Sequence, residues 1–274
     1  MIHYTGHTQN VIEILNSGFL RLNNLISVND PQEIDFIIRN LNLQNFQPYA
    51  EGLKSTFFSA SFCRVVNDEH PDEFPMWRLY GNDGFGCAIV FTIENQEEDW
   101  LNFILSQVQY GDSSSVKRFK DFIDFHNSFQ ESNNNPIQNL PITLTSFLAL
   151  HKNKIWEYEN EIRLLTYQNY DEFSLENESE NLCHLRHSIS RHNKRYSYIE
   201  LPLNGGPEYN RIKALGRVDT LRTILPMLKI KEIILGYRID RKSYVDIINV
   251  VNSISTNYGY RIAVKSSHLN EYMI

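Results

Sequence analysis

Cysteine is scarce. Cys63, Cys87 and Cys183 are odd in number and widely spaced, which suits a reducing cytoplasm with no disulfide frame. No apolar run approaches the roughly 20 residues that a membrane-spanning helix needs. Met1-Ile2-His3-Tyr4 also lacks the charged-then-apolar layout of a signal peptide, so neither secretion nor membrane insertion is expected. Positive charge is in deficit, at a net −7. That argues against coating nucleic acid through bulk electrostatics, though it leaves room for a local basic groove. A full glycine-rich dinucleotide loop is missing too: Gly84-Phe85-Gly86 has no third glycine and reads as a turn into a strand. No Ser-His-Asp or Cys-His pairing stands out, because Cys63 and Cys87 sit on or beside strands that read as buried. Alanine is low and asparagine abundant, which points to coding bias rather than to function.

What is present reads as one α+β domain over residues 1–274, with no internal repeat and no linker. His3-Tyr4-Thr5 is a short strand. Thr8 caps a helix over 9–17 with Gly18 as its stop, and residues 19–22 form a second strand. Asp30, Pro31 and Glu33 mark the start of a helix running to about residue 41. A strand of buried type over 55–62 is followed by a polar loop, a short helix over 76–80 and a core strand over 86–91. A strand at 106–110, a helix at 115–129 and an apolar helix at 139–151 come next. Further strands are expected at 199–203, 230–235 and 260–264, with a helix at 240–255. Residues 112–138 and 168–197 read as surface insertions.

Residues 156–167 alternate with period two. As a strand they put Trp156, Tyr158, Ile162 and Leu164 on one face and Glu157, Glu159, Glu161 and Arg163 on the other. Carboxylates two residues apart on a strand sit roughly 6.5–7 Å apart, and they repel unless a cation lies over them. The plainer alternative is a solvated edge-strand face, with Arg163, Lys152 and Lys154 as its cations. In the second insertion, Cys183 and His187 would share a helix face, but the spacing of Cys183, His184, His187 and His192 matches no common zinc module. No metal is expected. Arg186, Arg191, Lys194 and Arg195 make a basic strip beside Tyr196 and Tyr198, read first as a solvated run balancing the acids before it.

Taken in order, His3-Tyr4-Thr5, Phe57-Phe58-Ser59-Ala60, Tyr80 at the end of a short helix, and Glu159-x-Glu161 resemble the H-Y-E arrangement of ADP-ribosyltransferases. The wider series resembles a bacterial family of unknown function, DUF2971, some of whose members look like ADP-ribosyltransferase toxins of anti-phage defence. It comprises Asn29-Asp30-Pro31, Phe58-Ser59, Met76-Trp77-x-x-Tyr80, Gly86-Cys87-x-Ile89-x-Phe91, Lys154-x-Trp156-x-Tyr158-Glu159-x-Glu161-x-Arg163 and Ile233-Ile234-Leu235-Gly236.

The resemblance implies an ADP-ribosyltransferase-like fold, a split mixed β-sheet with surrounding helices. It also implies NAD as co-substrate and transfer of ADP-ribose to a macromolecule, whether RNA, DNA or protein. Cleaving the nicotinamide–ribose bond builds positive charge on the sugar, which a fixed carboxylate stabilises. Glu161 takes that part, and Glu159 would orient or deprotonate the acceptor. His3 would bond the adenosine ribose and Tyr80 would stack on the nicotinamide, with Tyr4 a lesser candidate. Ser59 and Ser61 would let the ring approach and bond its carboxamide, and Thr5 completes the His-x-Thr strand. Tyr4 stands where the superfamily has glycine, so its side chain must point elsewhere. A toxin or defence role would imply an antitoxin or chaperone. The rivals are a non-catalytic binding or regulatory module that keeps the fold, and a metal-independent nuclease.

Overall fold

The computed structural model describes residues 1–27, 33–40, 52, 54–100, 102–111, 116–124, 140–167, 184–189 and 195–271. Its strands are β1 (Ile2–Thr5), β2 (Phe19–Asn24), β3 (Phe57–Cys63), β4 (Cys87–Ile93), β5 (Phe103–Gln107), β6 (Gln109–Tyr110) and β7 (His151–Lys152). They continue with β8 (Glu161–Tyr167), β9 (His184–Ile189), β10 (Arg195–Pro202), β11 (Leu228–Leu235) and β12 (Ala263–Ser266). The helices are α1 (Thr8–Ser17), α2 (Glu33–Asn40), α3 (Phe74–Leu79), α4 (Leu140–Ala149), α5 (Pro207–Ala214), α6 (Val218–Arg222) and α7 (Arg241–Tyr258). Residues 116–124 are also helical. Among the described residues no helix is long and apolar enough to cross a membrane.

Among the described residues ten strands form one large mixed sheet in an α+β architecture. Its main path is β12-β11-β4-β1-β3-β2-β10-β9, with β8 beside β3 and β5 beside β8. Among the described residues only β11 and β12 run parallel within it. The pairing of β3 decides where a site can form. One edge of β3 is taken along its length by β8, from Phe57↔Tyr167 to Cys63↔Glu161. The other edge is shared: β2 meets it at Phe58 and Ser59, while β1 meets it only at Cys63. Between those two points the sheet splits.

The split follows from how α1 delivers the chain. Gly18 closes α1 in the left-handed conformation (φ 70°), its N–H donating to the Ile14 carbonyl at 2.9 Å. Glycine adopts that conformation without strain. The turn sends β2 away from β1, so the two strands reach opposite ends of β3.

The two faces of β3 are packed differently. Phe58, Ala60 and Phe62 enter the main core with Leu20, Leu22, Ile89 and Phe91, covered by α1, α5 and α7. On the other face Phe57 joins a cluster with Leu165, α2 and α4. Further along, Ile2 and Tyr4 pack with Met76, Trp77 and Ala88. Ser59 and Ser61 lie between those two clusters, on the same strand face by alternation.

Several local expectations are corrected. The strand expected over 156–167 begins only at Glu161, because residues 154–159 form a 3₁₀ turn. The Asn153 side chain caps that turn by accepting from the Ile155 N–H at 3.1 Å, and Asn160 ends it in the left-handed conformation (φ 44°). Glu157 and Glu159 therefore share no strand face with Glu161. His7, not Thr8, is the N-cap of α1, and it makes no side-chain cap. The last strand runs over Ala263–Ser266 rather than 260–264. His187 lies on a strand that pairs along β10, not on a helix. Cys183 and the helix start at Asp30-Pro31 lie outside the described residues. Of the stretches read as insertions, Val116 and Ile123 are buried in the second cluster, and 184–189 form β9.

Candidate functional site

A cleft of about 500 Å³ opens at the split. His3, Tyr4, Ser59, Ser61, Tyr80, Glu159 and Glu161 all contribute to its lining. That volume lies in the range of small-molecule sites.

Its acidic end is built by the chain doubling back. α4 ends at Ala149, and β7 follows, paired in parallel with β6 so that Lys152 lies beside Tyr110. The 3₁₀ turn then carries Glu159 round, and β8 starts at Glu161. As a result Lys152 Nζ lies 2.8 Å from Glu159 Oε2 and 2.7 Å from Glu161 Oε2. Arg163 grips Glu161 from the same strand face, Nε to Oε1 at 2.9 Å and Nη2 to Oε2 at 3.1 Å. Its Nη1 donates to the Ala149 carbonyl, which ties the end of α4 to β8. The Glu161 backbone N–H donates to the Tyr110 hydroxyl at 2.9 Å. The solvated-face alternative is thus replaced by a buried network: Glu161 is 3% exposed and Arg163 2%.

These surroundings fix the protonation states. Burial alone would raise the Glu161 carboxyl, but the Arg163 guanidinium and then the Lys152 ammonium outweigh it, holding the group at about 2. Glu161 is therefore ionised at neutral pH. Tyr80 caps the end of α3, and its hydroxyl donates to Glu159 Oε1. Burial first, then that carboxylate, push its phenol well above the ordinary range, so Tyr80 remains a proton donor. Burial and the charges of Glu161 and Glu159 push the Cys63 thiol up to about 12. It holds no thiolate at neutral pH, which removes it as a nucleophile.

His3 sits at the split itself. Its Nδ1 lies 2.9 Å from the Ser61 carbonyl, and the ring meets Phe62 edge-on at 6.0 Å. Burial lowers its pKa, with the Ser61 contact opposing. A carbonyl only accepts, so Nδ1 carries the hydrogen and Nε2 of the neutral ring is an acceptor. The Tyr4 ring points into the third cluster, edge-on to Trp77 at 5.1 Å, and its hydroxyl accepts from the Glu73 N–H at 2.9 Å. A side chain in the glycine position thus finds room on the packed side. Thr5 does not line the cleft: its hydroxyl accepts from Asn10 Nδ2 at 3.0 Å.

Lys152, Arg163, Trp156, Arg21 and Asn23 also line the cleft and were not among the site residues expected from the sequence. The charge alternation around Glu161 signalled the first two as cations near the acids. Nothing in the sequence marked Arg21 and Asn23, which alternate with Leu20 and Leu22 as any half-exposed strand does. Among the described residues no three His, Cys, Asp or Glu side chains gather as a metal site would need.

No curated protein and no solved structure matches this chain. Residues 76–164, from within α3 to the middle of β8, are similar to the model of a family described as protein of unknown function (DUF2971).

Proposed function

We propose that this protein is an NAD-dependent ADP-ribosyltransferase that moves ADP-ribose onto a macromolecular acceptor, acting as a bacterial toxin or defence effector. One observation carries the reading. Separate stretches of chain bring His3, Ser59 and Ser61, Tyr80, and Glu159 with Glu161 to a single cleft at a split in the sheet. The reaction breaks the bond between C1′ of the ribose and the nicotinamide nitrogen, the electron pair leaving with nicotinamide. A nucleophile of the acceptor then forms the new bond at C1′ and gives up its proton. Glu161, ionised and fixed, would stabilise the positive charge that builds on the ribose. Tyr80, tied to Glu159 through its hydroxyl, holds its ring in one orientation, as stacking on a flat heterocycle requires. Glu159 lies one turn away for the acceptor's proton. The stretch matching DUF2971 contains Tyr80, Glu159 and Glu161.

A second reading, a binding module that keeps the fold, draws on the grip of Arg163 and Lys152 on Glu161. Two cations beside two carboxylates leave the cluster neutral, which weakens its pull on a developing cation. Nicotinamide release from NAD separates the two readings, comparing wild type with Glu161→Gln and with Tyr80→Phe, which removes only a hydroxyl. Release that falls at least 100-fold in Glu161→Gln, while the variant still melts cooperatively, supports the transferase. Neither release nor NAD binding by the wild type supports the module.

A further inference from the structure

We infer that the end of the cleft between β2 and β3 is a phosphate-holding subsite, with Arg21, Asn23 and Ser59 as its donors. Asn23 and Ser59 are register partners across the two strands, and Arg21 is two residues from Asn23, on the same strand face. All three line the cleft. Ser59 is 6% exposed, yet its hydroxyl makes no hydrogen bond among the described residues. Arg21 forms no ion pair there either. Glu200, its register partner on β10, pairs instead with Arg186 at 3.2 Å. The Arg21 guanidinium rests over the Tyr198 ring at 4.8 Å, which holds it in place without neutralising it.

Charge and shape select the ligand. The cations Lys152 and Arg163 are matched by Glu159 and Glu161, so Arg21 is the uncompensated charge of the lining, in a chain that is net negative. An anion entering the cleft is therefore drawn to this end. A carboxylate would satisfy the planar guanidinium alone. A tetrahedral phosphate presents acceptors in several directions, which suits donors on two strands. Cys63, which faces Glu161 across the β3–β8 pair, lies four residues from Ser59, about 13 Å along the strand. A ligand reaching from the carboxylates to Ser59 and Asn23 is thus extended, of nucleoside diphosphate size, and it passes Arg21, which lies two residues nearer along β2. The inference rests on the proposed function only in assigning that group to the diphosphate of NAD. It also moves Ser59 from the carboxamide, its expected partner, to the phosphate.

The test is calorimetric titration of ADP-ribose and of inorganic pyrophosphate into the full chain, as wild type, Arg21→Gln and Arg21→Lys. The expected result is that Arg21→Gln weakens both ligands at least 10-fold at an unchanged melting temperature, because its side chain is exposed. Arg21→Lys should lose less than Arg21→Gln. Equal affinities in Arg21→Gln and wild type, or no binding of either ligand by the wild type, overturns the subsite. If Arg21-dependent binding is found but NAD is never cleaved, the subsite stands and the transferase reading falls. If NAD is cleaved and Arg21→Gln binds both ligands normally, the transferase stands and the subsite falls.

Discussion

Arg163 holds Glu161 with two parallel hydrogen bonds from two residues further along one strand face. Neighbours on a strand face are too far apart for short side chains to meet. The long arginine curls back and spans the gap. Its third contact, to the Ala149 carbonyl, means the pair also fixes where α4 ends. Breaking a buried pair costs more than replacing both partners, because a lone charge is left without its hydration. Arg163→Met should therefore lose about 3 kcal/mol of unfolding free energy in urea. Arg163→Met combined with Glu161→Met should recover most of that loss, since Lys152 still has Glu159. A double variant less stable than the single one would show that the pair is not coupled.

Acid should unfold the protein in two stages. Burial lowers the pKa of both His3 and His151 from 6.5. His151 donates Nδ1–H to the Phe147 carbonyl at 2.7 Å, and its buried Nε2 has no partner among the described residues. The unfolded chain takes up these protons more readily, so stability is full above about pH 6.5 and falls as the pH drops further. His3→Asn and His151→Asn should each flatten that first stage. Glu161 acts lower down. With its carboxyl at about 2 in the fold, its contribution is whole above about pH 4.5 and is lost as the pH falls through about 2. That second stage amounts to about 3 kcal/mol. Urea unfolding across pH 7.5 to 2.5, with Glu161→Gln for comparison, measures both stages. A variant whose curve parallels wild type below pH 4.5 would remove Glu161 as the cause.

How much of this was legible depended on the range of the interaction. Strands such as Cys87–Ile93 and Leu228–Leu235, and the body of α7, were written in local periodicity, while the end of α7 lies three residues beyond the expected one. His3, Ser59, Tyr80 and Glu161 could be singled out because their order along the chain formed a pattern, and the cleft does bring them together. The turn over 154–159 was hidden, because Trp-Glu-Tyr-Glu-Asn-Glu alternates as well as a strand would. The two asparagines that bracket it carried the signal, Asn153 as a cap and Asn160 as a residue tolerating positive φ. Arg21 and Asn23 were invisible for another reason. Half-exposed strand residues look alike until the pairing reveals that β2 leaves β3 just there.

Lys152 provides the sharpest test of the acidic end, because one ammonium serves two carboxylates. In Lys152→Met, Glu161 keeps Arg163, while Glu159 keeps only the Tyr80 hydroxyl, which is polar and uncharged. Two buried carboxylates without a cation between them repel each other, with little water to screen the charge. The variant should therefore be about 3 kcal/mol less stable than wild type, as expected for a buried ion pair that loses one partner. Removing the stranded charge as well, in Lys152→Met with Glu159→Gln, should restore at least half of that loss. Urea unfolding of both variants beside wild type gives the difference directly. Equal stability of the two variants would mean that Lys152 stabilises the fold through its packed methylenes alone. Recovery would show that its charge is what lets Glu159 and Glu161 share one end of the cleft.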